Sequence, residues 1–269
     1  MFRSVHKRRG FTIVELAVIM AVVAVGLSLM LPAVQAARED ARKVQCRNHL
    51  KQIALSIHNY HDVFQTIPPG WISSNHFGWQ VMILPFMEES NVYNKLNFLV
   101  PFDAKEALLQ SKIAGYRCPA DSVSTLAGGL GRSNYAGVLV GEPSNKTAAS
   151  THGGGSFGVN SKHKFRDFRD GMSFTLLVGE RMSTAKMGKD VRGTEGTWVG
   201  VNPGELSVVS ASSVGLPNSN AYGAFSSNHG GGANFMIGDG SIRFISDQVN
   251  ADTFAALCTI AGGEKPGNF

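Results

Sequence analysis

The chain has 269 residues, 43% of them hydrophobic and 17% charged, which is enough for one large or two small domains with a sizeable core. Its formal net charge is +5, but four of the 25 cations lie at the N-terminal tip (Arg3, Lys7, Arg8 and Arg9), which leaves 21 cations against 20 anions in the rest. This nearly neutral body argues against a nucleic-acid-binding surface, and no nucleic-acid partner is expected.

The N-terminal segment changes abruptly from basic to apolar. Basic residues stop just before Gly10, and from Leu16 to Leu31 only Ser28 is polar. A helix over residues 13–34 would be about 33 Å long, sufficient to cross the hydrocarbon core of a membrane. Because the flanking cations all precede this helix, the positive-inside rule places residues 1–10 in the cytoplasm and the rest of the chain outside it.

Two simpler interpretations of this segment stay open. A secretory signal peptide would need a small-x-small cleavage site after the apolar run, and Ala33, Ala36 and Ala37 loosely supply one. A plain membrane anchor would need no cleavage. Glu15 lies within the apolar segment, where an ionisable side chain is costly, so we take it as a candidate functional residue.

The stretch RRGFTIVE at residues 8–15, followed by the apolar run, resembles the class III leader of type IV prepilins and type II secretion pseudopilins. The resemblance implies that a prepilin peptidase cuts between Gly10 and Phe11 and methylates the new amino terminus of Phe11. It also implies that Glu15 pairs with the terminal amine of a neighbouring subunit, because a carboxylate at membrane depth needs a cationic partner. The expected function is that of a pilin-like subunit of a type IV pilus or type II secretion-like filament.

Beyond Pro32 the pattern becomes amphipathic. Apolar residues recur mostly at three- and four-residue steps: Val34, Ala37, Ala41, Val44, Leu50, Ile53, Ile57 and Tyr60. The pattern predicts one helix that ends at about residues 61–65, because Pro68-Pro69-Gly70 cannot continue it. From residue 13 to residue 60 this helix would be about 72 Å long.

The remainder of the chain predicts short elements separated by loops rich in Gly, Ser and Asn. The predicted strands are 135–140, 174–180, 197–201, and a hairpin of 234–237 and 242–245 around Asp239-Gly240. Residues 104–114 and 251–258 are predicted as helices, 79–87 as a short buried helix or strand ended by Pro85, and 202–222 as a polar loop.

These elements predict an α+β, pilin-like fold, in which a long N-terminal helix packs on a C-terminal antiparallel β-sheet head with loop-rich insertions. The predicted segments are a leader at 1–10, a transmembrane half-helix at 11–34, an amphipathic half-helix at 35–65 and a globular head at 66–269. The head would lie outside the inner membrane, and at the cell surface or in the periplasm after assembly.

The three cysteines, Cys46, Cys118 and Cys258, form no C-x-x-C pair, so a structural zinc site is not expected. Outside the cytoplasm, one disulfide and one leftover thiol is the natural use of three cysteines. We favour Cys46 with Cys118 as the pair, although the spacing does not fix the connectivity.

Other candidate ligand sets are weaker. His58 and His61 share a helix face and are conceivable as a metal pair, but polar residues at a helix end are the simpler interpretation. Some pseudopilins hold calcium with loop carboxylates, and the resemblance leaves such a role open for Asp121, Asp167, Asp170 and Asp239. No other cofactor is expected.

Two stretches imitate hydrolase motifs. Residues 154–158 fit G-x-S-x-G, and residues 229–232 fit the oxyanion-loop sequence HGGG. In α/β hydrolases HGGG precedes the nucleophile and a strand leads into it, whereas here the order is reversed and the preceding residues are a polar loop. We therefore predict no enzymatic activity, with a hydrolase that uses Ser156 and His229 as the alternative to test.

Several short motifs in the head resemble the DUF1559 family of pilin-like proteins. They are Leu55-x2-His58-Asn59-Tyr60-His61-Asp62, Pro68-Pro69-Gly70-Trp71, Cys118-Pro119-x-Asp121, Asn134-Tyr135-x-Gly137, Asp170-Gly171-x-Ser173, Val178-Gly179-Glu180 and the H-x9-D-G motif of His229, Asp239 and Gly240. The role of the last motif is open. In the simplest interpretation His229 caps the hairpin entrance and Asp239 supplies the turn. The family has also been classed with solute-binding proteins, so the alternative function is a membrane-anchored, extracytoplasmic solute- or polymer-binding protein.

Overall fold

The structure, a computed structural model, describes residues 12–103, 105–121, 129–140, 155–182, 195–201, 207–208, 210–212, 215–219, 221 and 223–264. The proposed processing residues Gly10 and Phe11 lie outside the described residues, as does Gly154 of the G-x-S-x-G stretch.

Helix α1 runs from Ile13 to Phe64, 52 residues, as the sequence predicts. Its start is fixed by a capping box: the Glu15 carboxylate accepts hydrogen bonds from the Thr12 N–H at 2.9 Å and the Thr12 hydroxyl at 3.0 Å. Its end is marked by Gln65, whose φ of 57° is left-handed and stops the helix before the two prolines. Pro32 lies inside the helix.

The chain divides into two compact units, Met1–Arg42 and Lys43–Phe269. In the first unit α1 is long and apolar enough to cross a membrane, and its most apolar window is not buried. In the second unit α1 packs into the head through Cys46, Leu50, Ile53, Ala54, Ser56 and Ile57. The predicted apolar face is therefore right from Leu50 to Ile57 but wrong at Val44, which is 55% exposed.

The head contains a five-stranded sheet, a separate two-stranded sheet and short helices. The strands are β1 (Tyr135–Leu139), β2 (Leu176–Glu180), β3 (Glu195–Gly196), β4 (Ser207–Val208), β5 (Ser210–Ser212), β6 (Gly232–Ile237) and β7 (Ile242–Ser246); the further α-helices are α2 (Trp79–Ile83), α3 (Ser90–Tyr93) and α4 (Ala251–Cys258). Strands β1, β2, β6 and β7 are antiparallel in that order, and β5 pairs parallel with the outer edge of β1. The fold is α+β and pilin-like, as predicted, with the expected β6–β7 hairpin and closing helix.

Strands β1, β2 and β6 are buried on both faces, whereas β7 is mostly exposed. Along β6, Ala233, Phe235 and Ile237 join one apolar cluster with Phe254 of α4. Met236 joins the other cluster, which contains the buried residues of α1. This period of two follows from the pleat of a strand, and it places Asn234 on the same face as Met236. Gly179 of β2 leaves room for the Phe235 ring, because a Cβ there would overlap it.

The predicted helix over 104–114 is wrong. The described residues form two separate 3₁₀ turns, Ala107–Gln110 and Ala114–Tyr116, and the chain is extended at Ser111. The Leu109 carbonyl, which a helix would use internally, instead accepts the Gly131 N–H, and the Ser111 carbonyl accepts the Trp198 indole N–H. Tertiary hydrogen bonds therefore override the local helical preference.

Two smaller predictions also need correction. Residues 197–201 form no continuous strand, since Thr197 and Gly200 make isolated bridges and β3 precedes them. The predicted polar loop at 202–222 contains β4 and β5. The short buried helix predicted before Pro85 is present, because α2 ends at Ile83, and Pro85 lies in the first turn of the 3₁₀ helix Leu84–Met87, where no N–H is required.

Candidate functional site

The structure joins Cys46 of α1 to Cys118 in a disulfide that closes a loop of sequence separation 72. The third cysteine, Cys258, is a free thiol in α4, and its complete burial raises its pKa. The disulfide ties the first buried residue of α1 to the segment that leads into β1, so it marks the place where the head begins to hold the helix.

Residues of two head motifs hold the disulfide in place. The Cys118 N–H donates to Asn134 Oδ1 at 3.0 Å, and Asn134 Nδ2 donates to Asp121 Oδ2 at 2.6 Å. The Tyr135 hydroxyl donates to the Cys46 carbonyl at 3.2 Å. Because β1 starts at Tyr135, these hydrogen bonds fix both halves of the disulfide to the sheet.

A buried carboxylate, Glu180, and a buried imidazole, His229, lie beside the two sulfurs. Together with Cys46 and Cys118 they form what we call the disulfide cluster. His229 Nε2 is 3.6 Å from Cys118 Sγ and 3.8 Å from Glu180 Oε1, and both side chains are almost fully buried. Glu180 ends β2, and its Oε2 accepts the Asn234 backbone N–H at 2.8 Å. Asn234 Nδ2 donates to the same carboxylate at 3.1 Å, which compensates for its removal from water.

The H-x9-D-G residues lie at opposite ends of β6, separated by a strand about 20 Å long. At the far end Asp239 Oδ1 accepts the Ser241 N–H at 2.8 Å, and Gly240 takes a φ of 80°, so both supply turn geometry. This turn is bound to α1, because Lys51 Nζ donates to the Gly240 carbonyl at 2.8 Å. The motif therefore attaches the hairpin to α1 at two places, through the disulfide cluster and through the turn.

The two histidines near the end of α1 make separate contacts. His58 Nε2 lies 3.1 Å from the Gly238 carbonyl. The His61 ring stacks on Phe165 with centroids 3.8 Å apart, and its Nε2 accepts the Phe165 N–H at 3.4 Å. Within the described part of the chain the pair belongs to no cluster of three or more metal-ligating side chains.

Acidification is expected to destabilise the head through His49 and His61. Burial lowers the pKa of both imidazoles, so the unfolded chain, with a histidine pKa of about 6.5, binds protons more readily. The contribution of these two histidines to the free energy of unfolding is therefore complete above that pH and decreases as the pH falls through it. Urea unfolding of the full chain in detergent at pH 7.5 and 5.5 measures the loss. The variant His49→Gln/His61→Gln should lose less stability over this interval, and a loss equal to that of the native chain would contradict the assignment.

The hydrolase-like residues have different surroundings. Ser156 is fully buried, and its hydroxyl donates to the Leu176 carbonyl at 3.4 Å. His229 instead faces Cys118 and Glu180. Neither contact is the serine–histidine hydrogen bond that activates a nucleophile.

The aspartates considered for calcium have separate local partners. Asp121 accepts from Asn134, and Asp167 accepts the Lys164 N–H at 2.7 Å. Asp170 accepts from Thr259, Gly262 and Gly263 after α4, and Asp239 serves the hairpin turn. Among the described residues these four do not form a shared ligand set.

Sequence patterns did not reveal Glu180, the central member of the cluster, except as part of a motif. Asn234 did not stand out in the sequence. One sequence signal was available: Glu180 ends a strand that is otherwise apolar from Leu176 to Gly179. An acidic side chain in such a buried strand needs a polar partner, so this pattern indicates a buried interaction.

Comparison with known proteins identifies two regions of the chain. Residues 5–31 match the prokaryotic N-terminal methylation motif, which indicates a pilin-type substrate of a prepilin peptidase that assembles with other pilin-like subunits. With its apolar helix, the motif indicates a membrane-anchored protein. No curated protein and no solved structure matches the chain. Residues 35–252, most of the chain, match the family described as "Protein of unknown function (DUF1559)", and the chain therefore belongs to the DUF1559 family.

Proposed function

We propose that the chain is a structural subunit of a type IV pilus or a type II secretion-like filament, and that it has no catalytic role. In this proposal the peptidase removes residues 1–10 and methylates Phe11, and α1 then carries the subunit from the inner membrane into the filament. The observation that supports it best is the match of residues 5–31 to the methylation motif, which includes the first part of an apolar helix of membrane length.

Glu15 provides a further argument. Its carboxylate is satisfied within its own chain by Thr12, the residue next to the proposed new terminus. The carboxylate therefore binds the residue that would follow the new N-terminal Phe11 after cleavage. In a filament we propose that Glu15 exchanges this local cap for the amine of a neighbouring subunit, which neutralises its charge among apolar helices.

The proposed orientation of the chain in the membrane rests on its N-terminal cations and on its disulfide. The N-terminal cations would remain in the cytoplasm, and the head would lie outside the inner membrane, where a disulfide between Cys46 and Cys118 is stable. After assembly the head would face the periplasm or the cell surface. The partners are other pilin-like subunits, identical or different, and the prepilin peptidase.

Mass spectrometry of the protein isolated from its host should show a mature chain that begins with N-methyl-phenylalanine at Phe11. The variant Gly10→Leu should remain uncleaved, because a bulky side chain replaces the small residue before the cut. A native protein that keeps Met1, or one that begins near Gln35 after signal-peptide cleavage, would contradict the proposed processing.

A further inference from the structure

When its disulfide is reduced, the disulfide cluster has the composition of a metal site. One ligand atom from each of Cys46, Cys118, Glu180 and His229 lies within 4.8 Å of the others, and all four residues are buried. They come from α1, the loop before β1, the end of β2 and the segment before β6. Two thiolates, an imidazole and a carboxylate are all ligands that zinc accepts in proteins.

The distances suit four ligands around one ion. With Zn–S bonds of about 2.3 Å and Zn–N bonds of about 2.0 Å, tetrahedral ligand atoms lie about 3.5 Å apart. His229 Nε2 is 3.6 Å from Cys118 Sγ and 3.8 Å from Glu180 Oε1. While the sulfurs are bonded to each other they cannot bind a metal as thiolates, so reduction is the step that completes the ligand set.

The surroundings already orient the ligands. Asn234 holds the Glu180 carboxylate with its backbone N–H and its side-chain amide. Asn134 holds the backbone of Cys118. Such outer hydrogen bonds are a regular feature of protein metal sites. The site would carry a net charge of about −1 with Zn²⁺, and the cationic, buried Arg181 lines the same small cavity as Cys118 and Glu180.

We propose that the dithiol form of the head binds one zinc-class divalent cation through Cys46, Cys118, Glu180 and His229, and that the disulfide and the metal exclude each other. An external dithiol supplies two electrons and two protons to the protein disulfide and becomes a disulfide itself. Binding of Zn²⁺ by the two thiols then releases two protons. A newly synthesised chain is already in the dithiol form, so it needs no reductant to enter the metal-bound state.

Cobalt titration of the full-length chain tests this site independently of N-terminal processing. The untagged chain in detergent is reduced with a phosphine, desalted without oxygen and titrated with Co²⁺, then with Zn²⁺. The reduced chain should bind one equivalent of Co²⁺ with the intense absorption of tetrahedral, thiolate-bound cobalt, and Zn²⁺ should abolish it. The oxidised chain should show no such absorption. A reduced native chain without the tetrahedral thiolate spectrum overturns the proposal.

Three variants identify the ligands. His229→Ala and Glu180→Gln should each weaken Zn²⁺ binding at least about tenfold. His229→Cys should keep the site and increase the thiolate-to-cobalt absorption, a gain that a misfolded chain cannot produce. Cys258→Ala, which removes the free thiol of α4, is the matched control and should bind like the native chain. Unchanged affinity in His229→Ala together with an unchanged spectrum in His229→Cys would overturn the assignment of His229.

Discussion

Replacing Cys46 and Cys118 together by serine is expected to lower the free energy of unfolding by about 4 kcal/mol. The disulfide closes a loop of sequence separation 72, and a loop of that size removes much conformational freedom from the unfolded chain. The substitution also places two hydroxyl groups beside the buried Glu180 and His229. Because the total stability of most domains is about 5–15 kcal/mol, this loss is expected to leave the head marginally folded.

The loss can be measured by urea unfolding of the full chain in detergent, followed by tryptophan fluorescence in a buffer with a metal chelator. All three tryptophans, Trp71, Trp79 and Trp198, are buried in the head, so the signal reports on the head alone. Cys258→Ala is the control and should cost about 1 kcal/mol, since it removes one buried sulfur. If the double variant unfolds at the native urea concentration, the disulfide does not stabilise the head.

Sequence patterns predicted the elements whose partners are local. Helix α1 and the β6–β7 hairpin follow from apolar periodicity and an Asp-Gly turn. Helix α4, predicted over 251–258, is capped in the structure by the adjacent Asn250, so its partners are also local. The prediction of a helix at 104–114 was wrong because carbonyls of this segment accept hydrogen bonds from Gly131 and Trp198, which are distant in sequence. Local preference carries no information about such partners.

The same limit applies to the candidate site. The sequence identified His229 and Asp239 as one motif, but their ten-residue spacing cannot reveal that a strand holds them apart. It also cannot reveal that Glu180 meets His229, because the two lie on different strand ends that only the antiparallel order of β2 and β6 brings together. The number of cysteines and the expected compartment predicted one disulfide and one free thiol but did not decide which cysteines pair; the structure contains the favoured pair, Cys46 with Cys118.

The attachment of α1 to the head has a simple geometric basis. Cys46 is bonded to Cys118, which lies beside His229, and His58 lies 3.1 Å from the Gly238 carbonyl at the other end of β6. Along the helix axis Cys46 and His58 are separated by about 18 Å. Strand β6 is about 20 Å long, so one strand matches one segment of helix. In the proposed filament subunit, this connection would join the head to its own α1.

Glu15→Ala is expected to abolish assembly while leaving cleavage after Gly10 unchanged. The proposed pair between Glu15 and the amine of Phe11 on a neighbour would be lost, and each amine would be buried among apolar helices without its counterion. The unpaired charge costs about 3 kcal/mol per subunit at membrane depth, a cost that recurs at every subunit added. The amount of the chain in the sheared, sedimented filament fraction of the host, relative to the membrane fraction, measures assembly.

Two further variants separate charge from helix capping. Glu15→Gln keeps an oxygen that can accept from the Thr12 N–H, so it retains the capping box but removes the charge. It should fail to assemble like Glu15→Ala, because loss of the cap alone costs only about 1 kcal/mol. Glu39→Ala removes an exposed acid that pairs with Arg42 on the same helix, and it should assemble normally. Normal assembly of Glu15→Gln would assign Glu15 to helix capping. A native chain found only in the membrane fraction would favour an anchored binding protein over a filament subunit.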